Sequence, residues 1–215
     1  MHQGPLSAGL HHRGDGHALR EQPRAAAARA AGHRPRHEQG EPRLTTSRSR
    51  PAAFLDRDGV LNRRLPGDTY VTRPEELFVL DHALDGLRDL AARGYALVVV
   101  TNQRGVARGL MSSADLDEVH AALARRCAEA GVPLDGIYAC THERDAGCAC
   151  RKPAPGLLFR AAEELGLDIS RSLLIGDSDR DIEAGRAAGV PLLLRIDSDA
   201  DWRPLLERVP RPRSD

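Results

Sequence analysis

Five short apolar runs, Ala52–Leu55, Tyr95–Thr101, Ile137–Cys140, Ser172–Ile175 and Pro191–Arg195, are separated by segments whose apolar residues fall at helical spacing. Between the first two, Ala83–Ala92 sets Leu84, Leu87, Leu90 and Ala91 on one face and stops at Gly94. Ser112 followed by Asp115 has the form of a capping box. It opens a helix in which Leu116, Val119, Leu123 and Cys127 share a face up to Gly131. Pro155–Leu165 carries proline near its first turn and Gly166 at its end, and Asp179–Ala188 is closed by Gly189. Strands alternating with helices make a mostly parallel sheet covered on both faces. The predicted fold class is therefore α/β, in three α/β/α layers. No internal repeat is visible.

Length and charge set the domain organisation. With 215 residues, 41% of them hydrophobic, the chain can bury one sizeable core. Its formal net charge is zero, but residues 1–50 hold nine arginines against four acids, together with six of the nine histidines. That stretch is rich in Ala, Gly, Pro and Arg and has no helical period beyond Ala25–Ala31, a composition that predicts a disordered basic arm. The expected organisation is an arm at 1–50, one catalytic domain at 51–197 and a tail at 198–215. The arm has no aromatic residue to stack on bases, so it fits weak electrostatic association and no specific nucleic acid is expected. It also lacks a continuous apolar h-region, and no later stretch is long enough to span a membrane. The expected location is the cytoplasm, with no membrane partner and a monomeric state.

The run Phe54-Leu55-Asp56-Arg57-Asp58-Gly59 places two carboxylates two residues apart at the end of the first strand. Residues at the carboxyl end of a strand in an open α/β sheet face the ligand crevice. An aspartate there can attack phosphorus, and Asp58 is near enough to protonate the leaving oxygen and then activate water. Thr101 and Asn102 follow the second strand, and both side chains can donate hydrogen bonds to phosphoryl oxygens. After the fourth strand comes Gly176-Asp177-Ser178-Asp179-Arg180-Asp181, rich in hard oxygen donors. Asp56, Asp177 and the main-chain carbonyl of Asp58 would suffice for Mg²⁺, with Asp181 orienting neighbouring groups. Lys152 is the only lysine among 31 basic residues and precedes Pro153. A compact ammonium, unlike the wide guanidinium fork, can reach between a phosphoryl group and a carboxylate.

Taken in order from Phe54 to Asp181, strand-terminal Asp-x-Asp, then Thr, Lys and a late Gly-Asp-x-x-x-Asp resemble the haloacid dehalogenase superfamily of phosphatases. The resemblance implies a Rossmann-like sheet, Mg²⁺ dependence, Asp56 as nucleophile and Asp58 as acid and base. It also implies that Thr101 and Lys152 bind the transferred phosphoryl group.

Cys140, His142, Cys148 and Cys150 offer three thiolates and an imidazole within eleven positions. Cys₃His is a tetrahedral zinc set that leaves no open position for water, so a Zn²⁺ there would be structural. A disulfide is the competing reading, less suited to a cytosolic setting. Cys127 belongs to the apolar helix face. The intervals at 141–151 and from Leu61 to Glu75 are too short for a large cap domain, leaving an open site shaped by a small zinc-bound loop.

The segments Asp56–Gly59, Thr101–Gly109, Cys140-x-His142 and Cys148–Pro153 are more narrowly similar to the superfamily branch of heptose-bisphosphate and histidinol-phosphate phosphatases. That branch implies a small phosphorylated substrate. A sugar bisphosphate would need a clamp for its second phosphate, and Arg108 and Arg151, beside the catalytic motifs, are the candidates. A histidinol phosphate would instead want a carboxylate, which Glu143 or Asp145 could supply. Ser178 is a departure, standing where the heptose branch carries a lysine. An alternative of another class is a nucleic-acid binder using the basic arm and zinc loop, with a vestigial phosphatase site.

Overall fold

The computed structural model describes residues 49–211. The basic arm therefore lies almost wholly outside the described residues. Nine regular elements alternate along the chain: β1 (Ala52–Leu55), α1 (Asp81–Ala92), β2 (Ala96–Asn102), α2 (Ser113–Glu129), β3 (Gly136–Cys140), α3 (Gly156–Leu165), β4 (Leu173–Gly176), α4 (Asp179–Ala188) and β5 (Leu192–Arg195). Short 3₁₀ turns at Pro74–Glu76, Ile169–Arg171 and Arg203–Arg208 were not anticipated. Their three to six residues are too few to show a periodicity.

The strands form one parallel sheet in the order β3-β2-β1-β4-β5. Alternation along each strand decides which helix layer a side chain meets. Ala53, Leu55, Leu97, Val99, Leu173 and Ile175 face the layer holding Leu84, Leu87 and Leu90 of α1 with Leu123 and Cys127 of α2. Ala52, Phe54, Val98, Val100 and Leu174 face Leu157, Leu158 and Ala161 of α3 and Ala184 of α4. The result is the expected Rossmann-like three-layer sandwich.

Local chemistry fixes where the helices begin. Ser112 accepts from the Asp115 amide and the Asp115 carboxylate reaches back to the Ser112 amide, completing the box that opens α2. Such a cap contributes about 1 kcal/mol. At α4, Ser178 and Asp181 form the equivalent box. Neither long connection, β1 to α1 or β3 to α3, contains more than one 3₁₀ turn, so no cap domain is inserted there. No helix among the described residues is long and apolar enough to cross a membrane.

The expected tail at 198–215 needs correction. Trp202 is fully buried and packs with Leu206 and Val209 in the same core layer as α1. Burying a ring of that size removes roughly 150–250 Å² from water, worth about 4–6 kcal/mol at most. One tryptophan in a polar stretch shows no period, so the sequence did not flag it. The segment as far as residue 211 packs as part of the body.

Candidate active site

The carboxyl edge of the sheet collects the polar residues. Asp56 follows β1, and its amide donates to the Ile175 carbonyl of β4 at 3.0 Å, which fixes the chain as it leaves the central strand. Thr101 and Asn102 end β2, Asp177 follows β4, and Cys140 ends β3. One cleft is lined by Asp56, Asp58, Thr101, Asn102, Arg151, Lys152 and Asp177. The chain winds outward on one side of β1 through β2 and β3 and then on its other side through β4 and β5, and such a switch is where open α/β sheets form their crevice.

Lys152 joins two carboxylates. Its Nζ lies 2.8 Å from Asp56 Oδ1 and 2.5 Å from Asp181 Oδ1, and donates to the Val100 carbonyl at 2.7 Å. The Lys152 and Asp181 side chains are each 2% exposed. Breaking a buried pair from one side typically costs about 3–5 kcal/mol. Burial pushes Asp56 up to about 7, against the Lys152 ammonium, with Asp181 adding to the rise. Lys152 is itself raised, because Asp56 and Asp181 outweigh the opposing effect of burial. Asn102 accepts from the Lys152 amide at 3.1 Å and donates to its carbonyl at 3.0 Å. Its amide thus fixes the backbone that carries the ammonium, a different task from the substrate contact expected. The Lys152–Pro153 peptide is cis.

Asp58 is held separately. Arg57, with no exposed surface, chelates it through Nε at 3.2 Å and Nη2 at 3.0–3.1 Å. Asn62 donates to Oδ1 at 2.9 Å and Gln103 to Oδ2 at 2.8 Å. Burial would raise its carboxyl, but the Arg57 guanidinium and these amide bonds reverse that and hold it below the usual range. Gln103 Nε2 also donates to Thr101 Oγ1 at 2.9 Å, which leaves the threonine hydrogen available to an oxygen in the cleft.

Asp56, Asp177 and Asp181 bring carboxylate oxygens within 4.8 Å of one another. Hard oxygens crowded this way suit Mg²⁺, and a cation would offset the burial and the neighbouring charge that lift Asp56. The Asp58 carboxylate stays outside this cluster, committed to Arg57, Asn62 and Gln103. Arg64, unremarked in the sequence, places Nη1 2.9 Å from Asp177 Oδ2. Gly59 has φ +88°, and a Cβ there would lie 2.3 Å from Asp177 Oδ2, so only glycine lets the loop pass.

The C-terminal segment braces that loop. The Asp199 amide donates to the Gly59 carbonyl and its Oδ1 accepts from the Arg64 amide, both at 2.8 Å. Trp202 Nε1 donates to the Val60 carbonyl at 3.1 Å.

Cys140, His142, Cys148 and Cys150 converge within 4.8 Å. Cys140 Sγ lies 3.7 Å from Cys148 Sγ and 3.5 Å from His142 Nδ1, and His142 Nδ1 lies 3.2 Å from Cys150 Sγ. A disulfide needs about 2.05 Å between sulfurs. Tetrahedral zinc with bonds of about 2.3 Å spaces its sulfurs about 3.8 Å apart. The donor set therefore fits zinc. Burial and hydrogen bonds with the other thiols push Cys150 up to about 12, a crowding that a dication would remove.

Arg108 is exposed and does not line the cleft, whereas Arg64, Arg144 and Arg180 do. Adjacency to a motif in the chain was the only signal for Arg108, and the turn after β2 carries it away. Arg151 lines the cleft and donates to the His142 carbonyl at 3.3 Å.

The chain matches the haloacid dehalogenase-like hydrolases over residues 5–189. It is 36% identical over 173 residues to the D-glycero-beta-D-manno-heptose-1,7-bisphosphate 7-phosphatase of Yersinia pestis, covering 73% of this chain and 90% of that protein. Among solved structures, D,D-heptose 1,7-bisphosphate phosphatase from B. bronchiseptica, complexed with magnesium and phosphate, superposes with a TM-score of 0.64 at 34% identity, covering 76% of this chain and 89% of that one. A HAD-like phosphatase from Mesorhizobium loti gives 0.61 at 36% identity, over 67% and 70% of the two chains.

Proposed function

The chain belongs to the haloacid dehalogenase-like hydrolase family and is a phosphoric monoester hydrolase, and within that family we propose that it removes the C7 phosphate of D-glycero-D-manno-heptose 1,7-bisphosphate. The observation that carries this reading is that one cleft is lined both by Asp56, Asp58, Asp177 and Asp181 and by Arg144, Arg151 and Arg180, the three arginines also lining one adjoining cavity. A substrate bearing two phosphates suits both sets. The relatives named for heptose bisphosphate support the sugar.

In this reading an Asp56 oxygen attacks phosphorus while the sugar C7 oxygen leaves with a proton from Asp58, giving an aspartyl-phosphate. Water then loses a proton to Asp58, attacks the same phosphorus, and releases phosphate with Asp56 restored. Asp58 rests as a carboxylate, which suits the second half. For the first half, the negative charge of an arriving phosphate raises its proton affinity. Lys152 and the Thr101 hydroxyl stabilise the equatorial oxygens as charge spreads over them. Asp56 and Asp177 would hold Mg²⁺, which supplies the neutralisation that lets a carboxylate approach an anionic phosphoryl group. Cys140, His142, Cys148 and Cys150 would hold a structural Zn²⁺.

A cationic substrate finds less support. Glu143 is paired with Arg104 at 3.7 Å, and neither Glu143 nor Asp145 lines the cleft. Phosphorus NMR of the products is the test. Loss of the C7 phosphate alone, at a kcat/KM well above that for histidinol phosphate, is the expected result, and faster hydrolysis of histidinol phosphate would end this reading.

A further inference from the structure

Asp177 stands apart from the other two carboxylates of its cluster. Asp56 and Asp181 share the Lys152 ammonium, at 2.8 and 2.5 Å. Asp177 is not paired with that lysine, and among the described residues its one ion pair is with Arg64, whose Nη1 donates to Oδ2 at 2.9 Å. The Asp177 side chain is 2% exposed and that of Arg64 is 45% exposed. A buried carboxylate therefore has a single counter-ion, reaching it from the solvent side of the cleft.

The backbone that carries Arg64 is fixed independently of its guanidinium. Asp199 Oδ1 accepts from the Arg64 amide, and the Asp199 amide donates to the Gly59 carbonyl. Asp199 does this at φ +63°, a conformation that few residues other than glycine adopt. Gly59 closes on the same Asp177 oxygen that Arg64 binds. The charge of Arg64 also reaches Asp56 and Asp58, which together with the Asp177 bond raise its own proton affinity. Three crowded carboxylates thus face two protein cations, Lys152 and Arg64. A dication entering the cluster must share Asp177 with Arg64 or displace it, and like charges repel strongly across a carboxylate that solvent barely screens.

We propose that Arg64 is a built-in counter-ion to Asp177 that competes with the divalent cation, holding down the Mg²⁺ affinity of the site while keeping its carboxylates together when no dication is bound. The proposal rests on the reading that Asp56 and Asp177 hold Mg²⁺, and adds the residue that sets how tightly.

Calorimetric titration of the full chain with MgCl₂, after dialysis without chelator so that the Cys–His loop is left intact, measures the affinity without turnover. Arg64→Met keeps the methylene stem and removes the charge, and should tighten Kd on the order of 10-fold. It should also lower Tm in Mg²⁺-free buffer and enlarge the rise in Tm at a fixed excess of Mg²⁺, because a ligand stabilises by the logarithm of its concentration over Kd. Arg64→Lys should stay near the wild-type Kd. Arg63→Met removes an equal charge one residue away, from a side chain stacked 4.6 Å over the Phe78 ring, and should leave Kd unchanged. A Kd that fails to tighten in Arg64→Met, or that tightens equally in Arg63→Met, overturns the proposal. Asp177→Asn separates that failure from failure of the metal assignment. Loss of Mg²⁺ binding in this variant keeps Asp177 as a ligand whatever Arg64 does, whereas unchanged binding removes Asp177 from the metal site and the proposal with it.

Discussion

At the carboxylate end of the cleft, Asp56, Asp58 and Lys152 each have at least two protein partners, whereas the loop from Thr141 to Ala149 is largely exposed and converges on four ligand atoms. The first arrangement is built from strand ends and buried charge, so its geometry is fixed by the fold. The second has almost no apolar surface of its own to bury, and depends on what its thiols and imidazole hold. Chemistry that needs positions good to a few tenths of an ångström sits on the fixed side. On the proposed function, substrate choice is left to the side that can vary.

The sharpest way to break this contrast is Asp56→Asn. Replacing the attacking oxygen by an amide should lower turnover on the order of 10⁴-fold or more. Near-native activity on any phosphate ester would remove Asp56 from the nucleophile's role. Lys152→Arg comes next. The wide fork cannot occupy a niche bounded by Asp56, Asp181 and the Val100 carbonyl, so a loss of about 10²- to 10³-fold in kcat is expected although charge is retained. An arginine variant with wild-type kcat would mean that the niche tolerates either cation.

On the other side, Cys148→Ser should release any bound zinc and lower Tm by about 5 °C or more. Its kcat/KM should fall about 10- to 100-fold, because the loop also carries Arg151 and leads into Lys152. Zinc content by elemental analysis and a thermal melt check this together. Unchanged content and Tm would show that the loop holds its shape without the ligand set.

Acid provides the smallest effect. Burial, assisted by the Arg57 charge, pulls His120 down to about 4. A histidine whose folded pKa is depressed binds fewer protons than the unfolded chain, so stability falls as pH drops from about 6.5 toward 4. The loss at the low end should be about 1–3 kcal/mol. Denaturant melts of the wild type and His120→Gln across that window measure it, and parallel curves would exclude the histidine.

How much of this was legible in the chain depended on distance along it. Strands and helices declare themselves within a few residues, and β1 and α4 matched their expected limits while the others shifted by one or two. Asp56, Thr101 and Asp177 were readable because they lie at strand ends, a position the pattern itself reveals, and Lys152 because it is the only lysine in the chain. Arg64 was not, since its significance comes from Asp177, 113 residues away. Asp199 meets Arg64 across 135 residues, and Arg180 shares a cavity with Arg144 only after α3 and β4 intervene. Pairings of that kind leave no period and no local composition to detect. Arg57 was visible within its motif, but nothing in one dimension distinguishes a guanidinium buried against its neighbour's carboxylate from one in solvent.

The bond from Trp202 to the Val60 carbonyl has a practical consequence. Trp202 is the only indole in 215 residues, and it is fully buried with its N–H tied to the turn that follows Asp58. The ring edge fills the space opposite Gly86 of α1. Intrinsic emission from this protein therefore comes from one fluorophore, packed between a helix and the catalytic turn. A blue-shifted spectrum marks the turn in place, and a red shift during a titration or melt marks water reaching it. The molecule carries its own optical probe of active-site order, with no label required.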